Sequence, residues 1–556
     1  MPQSGRYSQQ EMQQSAGQSV VPVIAPDPGC IRVPRRHGEI LIEPTVGEQE
    51  KYLLSIKPGS VFDTLPEPWK TLSRLARKEF LESARAFARA TGFSAPDESQ
   101  LAKRWIVTGH QVEFYHAGVW AKVLFAAHLA RRTNSAAFDL LVDHDVVETM
   151  GFGVPCRAGG RWLRETIAWS DAGILPAEFL QAPGHEIRKA WMGKIRKRSA
   201  VFSDALGFTL HQLDASELTG YTPWMSQARR RLELKMDVHV PHVRCSDLCS
   251  GTAWAGFVLS WIRHADAWTT AYNSALNDYR RIKNIKNSGQ PMPNLETNER
   301  YLELPFWIYS QNSARQRLLF DQAGGKLIGS GSGTETFELT ALMQGDLIGA
   351  TQQFAQKLIR AGLLIRPRAL TLTLFIRLLV SDLFIHGIGG AIYDQITDEF
   401  MKQTFGVLKA YSCVSAGWLL ELSNGAQAGD VGFLRGQKHH LLHNPQLIQT
   451  HTREDNVELI KQRSELITEI ETLLQADREK TGHSHGPNRK DRADKFQGLH
   501  RVNGKLIELR QAEIARLDQQ IAAAQAASRD YAVTHWREYY FAMHSFESLE
   551  KLKKAL

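Results

Sequence analysis

The chain has 556 residues, too many for one ordinary hydrophobic core, so two or three domains are expected. Hydrophobic residues at 43% and charged residues at 23% fit a soluble globular protein. A net charge of +8 suits anionic ligands, but no basic tract carries interleaved aromatics, which argues against a nucleic-acid groove.

Five scattered cysteines (Cys30, Cys156, Cys245, Cys249 and Cys413) and no secretory signal point to reduced thiols in a cytoplasm. The first twenty residues are rich in Gln and Ser and lack an apolar core, so residues 1–35 read as a flexible tail. Residues 36–150 open the core. A helix is expected over 66–92, with Leu72, Leu75, Phe80 and Ala84 on its buried face. "RWIVTG" is a short strand, Ala117 to Arg132 a helix burying Val119, Trp120, Val123, Leu124 and Ala127, and "FDLLVDHD" a second strand. Strand, helix, strand within about 40 residues is a βαβ unit, so a parallel sheet is expected.

Residues 151–300 lose that rhythm and read as a connecting insertion that returns to the core. Within them "KMDVHVPHVRCSD" alternates like a strand and "WIRHADAWTTAYNSALNDYRRIKNIK" is helical. Residues 301–445 form the second half of the core, starting with a β-meander and continuing, over 370–404, into helix, apolar strand and a glycine loop. The apolar run there is interrupted by Arg377, Asp382 and His386, so it reads as buried core and not a membrane span. In residues 446–530 the doublets Leu459/Ile460, Leu466/Ile467 and Leu473/Leu474 recur every seven residues. After a polar break over 478–499, Ile507, Ile514, Leu517, Ile521 and Ala524 follow at helical spacing, which makes an αα-hairpin or coiled-coil arm. Residues 531–556 are a C-terminal segment.

The loop between the first strand and its helix has the makings of an anion site. A helix N-terminus presents free N–H groups and partial positive charge, and phosphate is the usual occupant. Gly109 and Gly118 would let backbone approach the ligand, His110 and His116 would donate to phosphoryl oxygens, and Lys122 would reach back from the helix. The plainer alternative is a capping His110 and an exposed His116. Asp143, His144 and Asp145 stand at the carboxyl end of the neighbouring strand, the edge where parallel α/β sheets bind ligands. Three ionisable groups there call for solvent, a ligand or a metal.

"TGHQ" before a helix, then "VDHD", then "RPRALTLTLFIRLLVSDLFIHGIGGAIYDQITDEFMKQTFG" resembles the bacillithiol biosynthesis cysteine-adding enzymes, or cysteine ligases. The resemblance runs from about residue 100 over most of the chain. It implies a Rossmann-like α/β core similar to class I aminoacyl-tRNA synthetases, an inserted connecting region, and a coiled-coil arm through which the chain forms a homodimer. It implies amide formation between cysteine and an amino-sugar acceptor, with ATP or ADP as the nucleotide, and neither nucleic acid nor membrane as partner. Thr108, Gly109, Gln111, His116, Gly118 and Lys122 would hold the nucleotide. His110, Asp143, His144 and Asp145 would position or deprotonate the nucleophile. Gly387, Gly389, Tyr393 and Gln395 fall on the family's pattern, and Asp247 matches an acidic strand end near the pocket. Three positions depart from it: His110 replaces a glutamine, Asp143 a glutamate, and Gly390 the acid that closes the glycine loop. Asp394 is the nearest acid to take over that contact. The alternatives are a dimeric scaffold without catalysis and a nucleotidyltransferase-superfamily enzyme with another substrate.

Other constellations carry less. His239, His242, Cys245 and Cys249 have the ligand types of a zinc site, but on a strand His239 and His242 would face opposite ways. "GGKLIGSGSGTE" lacks the Gly-Lys-Ser/Thr of a phosphate-binding loop and reads as a hairpin turn. His439, His440 and His443 read as a solvated helix or turn, and His483 and His485 as connector.

Overall fold

The computed structural model describes residues 23–171, 173–331, 337–422, 430–443, 454–481 and 486–556. Most of the expected N-terminal tail, part of the glycine-rich turn after Gly331, and His483 and His485 therefore lie outside the described residues. Contacts divide the chain into two units. The first takes residues up to 157, 164–420 and 536–556, and the second takes 158–163 and 421–535.

The first unit follows the chain as β1 (Glu39–Glu43), α1 (Val46–Ser55), α2 (Trp69–Ala90), β2 (Trp105–Gln111), α3 (Ala117–Thr133) and β3 (Ala136–Val142). The connecting region holds a hairpin, β4 (Met150–Ala158) and β5 (Arg161–Ser170), then α4 (His185–Arg198), α5 (Asp204–Asp214) and α6 (Tyr221–Lys235). The chain returns through β6 (His242–Arg244), α7 (Thr252–Arg263) and α8 (Ala265–Ile282). A meander follows: β7 (Tyr301–Ser310), β8 (Gln316–Asp321), β9 (Lys326–Gly329) and β10 (Phe337–Glu338). Then come α9 (Leu347–Ala361), β11 (Leu363–Pro367), α10 (Ala369–Leu379), β12 (Leu383–His386), α11 (Ile388–Phe405) and β13 (Tyr411–Gly417).

The main sheet runs β1-β13-β12-β2-β3-β6. β2 pairs in parallel with β3 on one side and β12 on the other, β6 and β13 extend these in parallel, and β1 closes one edge antiparallel. In chain order the parallel strands stand third, second, first, fourth, fifth, so the order reverses between β2 and β12, where doubly wound sheets bind ligands. Alternation along β2 explains the layers. Trp105 and Val107 join a core with Phe80, Phe138 and Trp254, the Trp105 ring lying 5.4 Å from Phe80 and 5.0 Å from Phe138. The meander forms a second, antiparallel sheet with β11 added at its β7 edge.

The expected strand over "KMDVHVPHVRCSD" shrinks to His242–Arg244. Asp237 turns the chain with φ of 54°, and Pro241 has no N–H for a ladder. The long helix expected near 261–286 breaks at His264 into α7 and α8.

The second unit contains α12 (Val431–His443), α13 (Glu454–Thr481), α14 (Arg489–Glu508) and α15 (Gln511–Thr534). α13 and α14 run antiparallel, joined by Arg463 to Asn503 (2.9 Å), Lys495 to Glu469 (2.6 Å) and Arg492 to Asp477 (3.2 Å). The doublets are half-buried on this seam and Ile470 is buried. The expected polar break is shorter than its composition suggests, because Arg492 and Lys495 are helical and answer acids on α13. Ile507 and Ile514 belong to different helices, and α15 lies along α12 with Lys438 paired to Asp518 at 2.5 Å. Among the described residues no helix is long and apolar enough to cross a membrane.

Candidate functional site

Two strand–loop–helix units flank the reversal point, and they differ. In the first, β2 ends on Thr108, Gly109, His110 and Gln111. Thr108 is buried and its Oγ1 donates to the Ile385 carbonyl (2.9 Å), which ties β2 to β12. Gly109 is required, since a Cβ there would meet the Leu140 carbonyl oxygen at 2.7 Å. Lys122 is buried and donates to the Gly109 carbonyl (2.6 Å), and burial lowers its pKa to about 8. His110 is half-buried, 5.3 Å from the Tyr115 ring, and burial and then Lys122 lower its pKa to about 3. His110 is therefore a neutral donor or acceptor, not the imidazolium expected at a phosphate.

The N-terminus of α3 is closed. His116, not His110, caps it: Nδ1 accepts from the Gly118 N–H at 3.0 Å. Burial, then Arg537 and Lys122, lower the His116 pKa to about 3, as an accepting nitrogen needs. A Cβ at Gly118 would meet the Ala416 carbonyl oxygen at 2.6 Å, so this glycine serves packing and not a ligand. The segment after residue 536 covers the rest. Phe541 stacks on Trp120 at 4.5 Å and Tyr115 at 5.8 Å, and its N–H donates to the Tyr115 carbonyl (3.0 Å). These positions correct the expectation that His116 and Gly118 face a phosphate.

The β12–α11 unit is open. α11 starts after Gly387 without a side-chain cap, and Gly389 and Gly390 are exposed. The first backbone donor bound within the helix is Ala391, to Gly387. Gly387 would place a Cβ 3.9 Å from Lys122 Cδ, so the lysine stem runs between the two units. Asp394 is not available to a ligand. It is 1% exposed, with Oδ1 taking Thr373 (3.0 Å) and Oδ2 taking Arg377 (2.5 Å) and His386 Nε2 (2.7 Å). Although burial works against it, Arg377 and His386 hold its carboxyl well below the usual range. Gly390 is likewise no lost acid: a Cβ there would lie 2.5 Å from His386 Nδ1. The imidazole occupies the space a side chain would need. Sequence reasoning missed His386, though a strand-end histidine eight residues before an acid on the next helix is a legible signal. Tyr393 is 41% exposed on the outer side of α11, its ring 6.4 Å from Tyr279, and Gln395 keeps Nε2 buried without a hydrogen-bond partner.

At the β3 end the acids differ in role. Asp143 is completely enclosed and holds the Ser246 N–H (2.8 Å), Ser246 Oγ (2.6 Å) and Arg244 Nε (2.9 Å), so it fastens β3 to β6. Asp247 reaches Arg244 at 3.8 Å, and burial raises its pKa. Asp145 is partly open. Burial opposes ionisation, but Arg315 at 2.5 Å prevails and lowers its pKa, and Gln111 Nε2 reaches it at 3.5 Å. His144 is buried with Nδ1 unpartnered, and burial lowers its pKa to about 4 despite Asp143 and Asp145. Beside this turn lies a cavity of about 340 Å³ lined by Trp254, Val258, Leu358 and Cys249, with the buried Glu178–Arg366 pair (2.9 Å) in its wall. The Glu178 N–H donates to the Asp143 carbonyl at 2.7 Å.

No group of metal-binding side chains occurs among the described residues. His239, His242, Cys245 and Cys249 do not form such a group: His242 is bonded to Ser226 (2.7 Å) and Glu233 (3.0 Å), exposed His239 pairs with Asp237, and Cys245 and Cys249 lie 3.7 Å apart. His439, His440 and His443 lie on α12. No protein-family model matches the chain, and no curated protein matches it.

Proposed function

We propose that the chain is a carbon–nitrogen ligase of the type its motifs resemble, joining cysteine or a related amino acid to an amino-sugar acceptor with a nucleotide as activating group. The observation that carries this reading is the strand-order reversal between β2 and β12. There the Lys122 side chain, whose ammonium holds the Gly109 carbonyl at the end of β2, passes the uncapped N-terminus of α11, its Cδ 3.9 Å from where a Gly387 Cβ would stand. Uncapped N–H groups and a buried cation favour a phosphate or carboxylate. His144 and Asp145 stand one strand away, and the Gln111–Asp145 contact joins the two ends. The geometry supports ATP or ADP at the Thr108–Gln111 and Gly387–Gly390 loops in place of the α3 N-terminus. With Gly390 explained by His386, the argument from a lost acid to a scaffold without catalysis falls away.

The experiment is a melting-temperature series with ATP and ADP, followed by mass-spectrometric detection of the amide from cysteine, ATP and glucosaminyl-malate. Binding only to the native state raises the melting temperature. A nucleotide-dependent rise lost in His110→Ala, together with product formation, is expected. No rise at millimolar nucleotide and no product would end the ligase reading. Dimerisation through α13 and α14 belongs to the same proposal, and a monomeric mass by light scattering at micromolar concentration would refute it.

A further inference from the structure

His386 is 5% exposed, and its ring has one committed nitrogen. Nε2 lies 2.7 Å from Asp394 Oδ2, and Asp394 is locked by Arg377 and Thr373. Asp394 is ionised, so Nε2 carries the proton and Nδ1 keeps its lone pair. Nδ1 makes no hydrogen bond and is the atom that a Cβ at Gly390 would strike. It therefore lies against Gly390 on the flank of the first turn of α11, a turn whose Ile388, Gly389 and Gly390 N–H groups have no partner among the described residues. An acid that orients a histidine whose second nitrogen faces an anion-receptive helix end is the geometry of a general base beside a bound anion.

We propose that His386, oriented by Asp394, is the proton acceptor for an amine substrate that carries a carboxylate or phosphate, the anionic group resting on the first turn of α11 beside Lys122. The proposal rests on reading the β2 and β12 strand ends as a ligase site. The substrate enters as its free amine, whose lone pair attacks the carboxyl carbon of an amino acid activated by the nucleotide as an acyl phosphate or acyl adenylate, and Nδ1 takes the one proton the nitrogen sheds as the amide forms. The C–N bond forms, the bond between the carboxyl carbon and the phosphate oxygen breaks, and phosphate, or AMP from an adenylate, leaves with the electron pair. The imidazolium is held by Asp394. Arg377, itself paired to Asp398, Lys122 and the Tyr411 ring at 5.6 Å complete the polar surroundings of His386.

Calorimetry with inorganic phosphate and with malate tests the site without assuming the reaction, and the two anions separate phosphate from carboxylate. A bound anion raises the pKa of a facing imidazole. In buffers of different ionisation enthalpy, the full chain should take up as much as about one proton as either anion binds. His386→Gln keeps a donor for Asp394 but lacks Nδ1. It should bind about tenfold more weakly with no proton uptake, and Gly390→Ala, which displaces the ring, should do the same with an unchanged circular dichroism spectrum. Unaltered proton uptake in His386→Gln, or no binding of either anion to the wild type, overturns the proposal. In the ligation assay His386→Gln should lower kcat about a hundredfold with KM little changed. An unchanged kcat also overturns it. Anion binding with proton uptake but no ligation by the wild type would refute the ligase reading alone and leave the His386 site standing.

Discussion

The β2–α3 and β12–α11 units share one design, a parallel strand that turns through glycines into a helix, yet one helix end is sealed and the other is free. At the α3 helix end the features that signal a phosphate site are consumed internally: His116 caps, Gly118 packs, and Phe541 covers the aromatic face. At α11 the glycines leave the helix end bare because His386 fills the space behind them. A glycine-rich strand-to-helix turn thus has two outcomes, and what decides between them is which side chain lies behind the glycine and what distant segment lands on the helix end.

Breaking the seal should have the largest effect. Phe541→Ala removes a buried ring stacked on Trp120 and should cost about 3–5 kcal/mol, read from urea denaturation. A loss below about 1 kcal/mol would show that the segment does not seal α3. The two glycines come next. Gly118→Ala and Gly390→Ala each force a Cβ into occupied space and should each cost about 1–3 kcal/mol. Only Gly390→Ala should also weaken anion binding, about tenfold, and equal effects of both on binding would erase the difference between the units.

Acid separates them further. His116 is held near a pKa of about 3 when folded and returns to about 6.5 when unfolded, so between these values the unfolded state binds more protons and stability falls as pH falls. The slope from this residue is as much as about 1.4 kcal/mol per pH unit, and His116→Asn, a cap that does not titrate, should flatten the stability–pH curve by that amount. A curve of unchanged slope would mean that His116 is not a neutral cap. At pH 7 the smallest effect is expected from His116→Ala, about 1 kcal/mol for the lost cap, with anion binding unaltered.

Much of the frame was legible from local pattern. The βαβ unit, the meander and the helix–strand–helix run after residue 369 follow from apolar periodicity, and the strand-end acids stand where a parallel sheet puts them. What local pattern could not supply were contacts across long separations. Nothing near Trp120 announces that Phe541 will stack on it, so His116 read as ligand-facing instead of sealed. Asp143 read as a free acid because its partners, Arg244 and Ser246, come about a hundred residues later. Gly390 read as a loss because a glycine's reason is the atom behind it, here His386 Nδ1, and no spacing records that distance.

The seal also has a consequence for how the protein is made. In a chain synthesised from its N-terminus, Tyr115 and Trp120 emerge roughly 400 residues before Phe541, and the whole of residues 421–535 is made in between. Until then both rings lack the partner that covers them. On the ribosome, the nascent chain therefore carries an aromatic patch that suits a chaperone, and a message truncated before codon 541 would yield a product that keeps that patch for life.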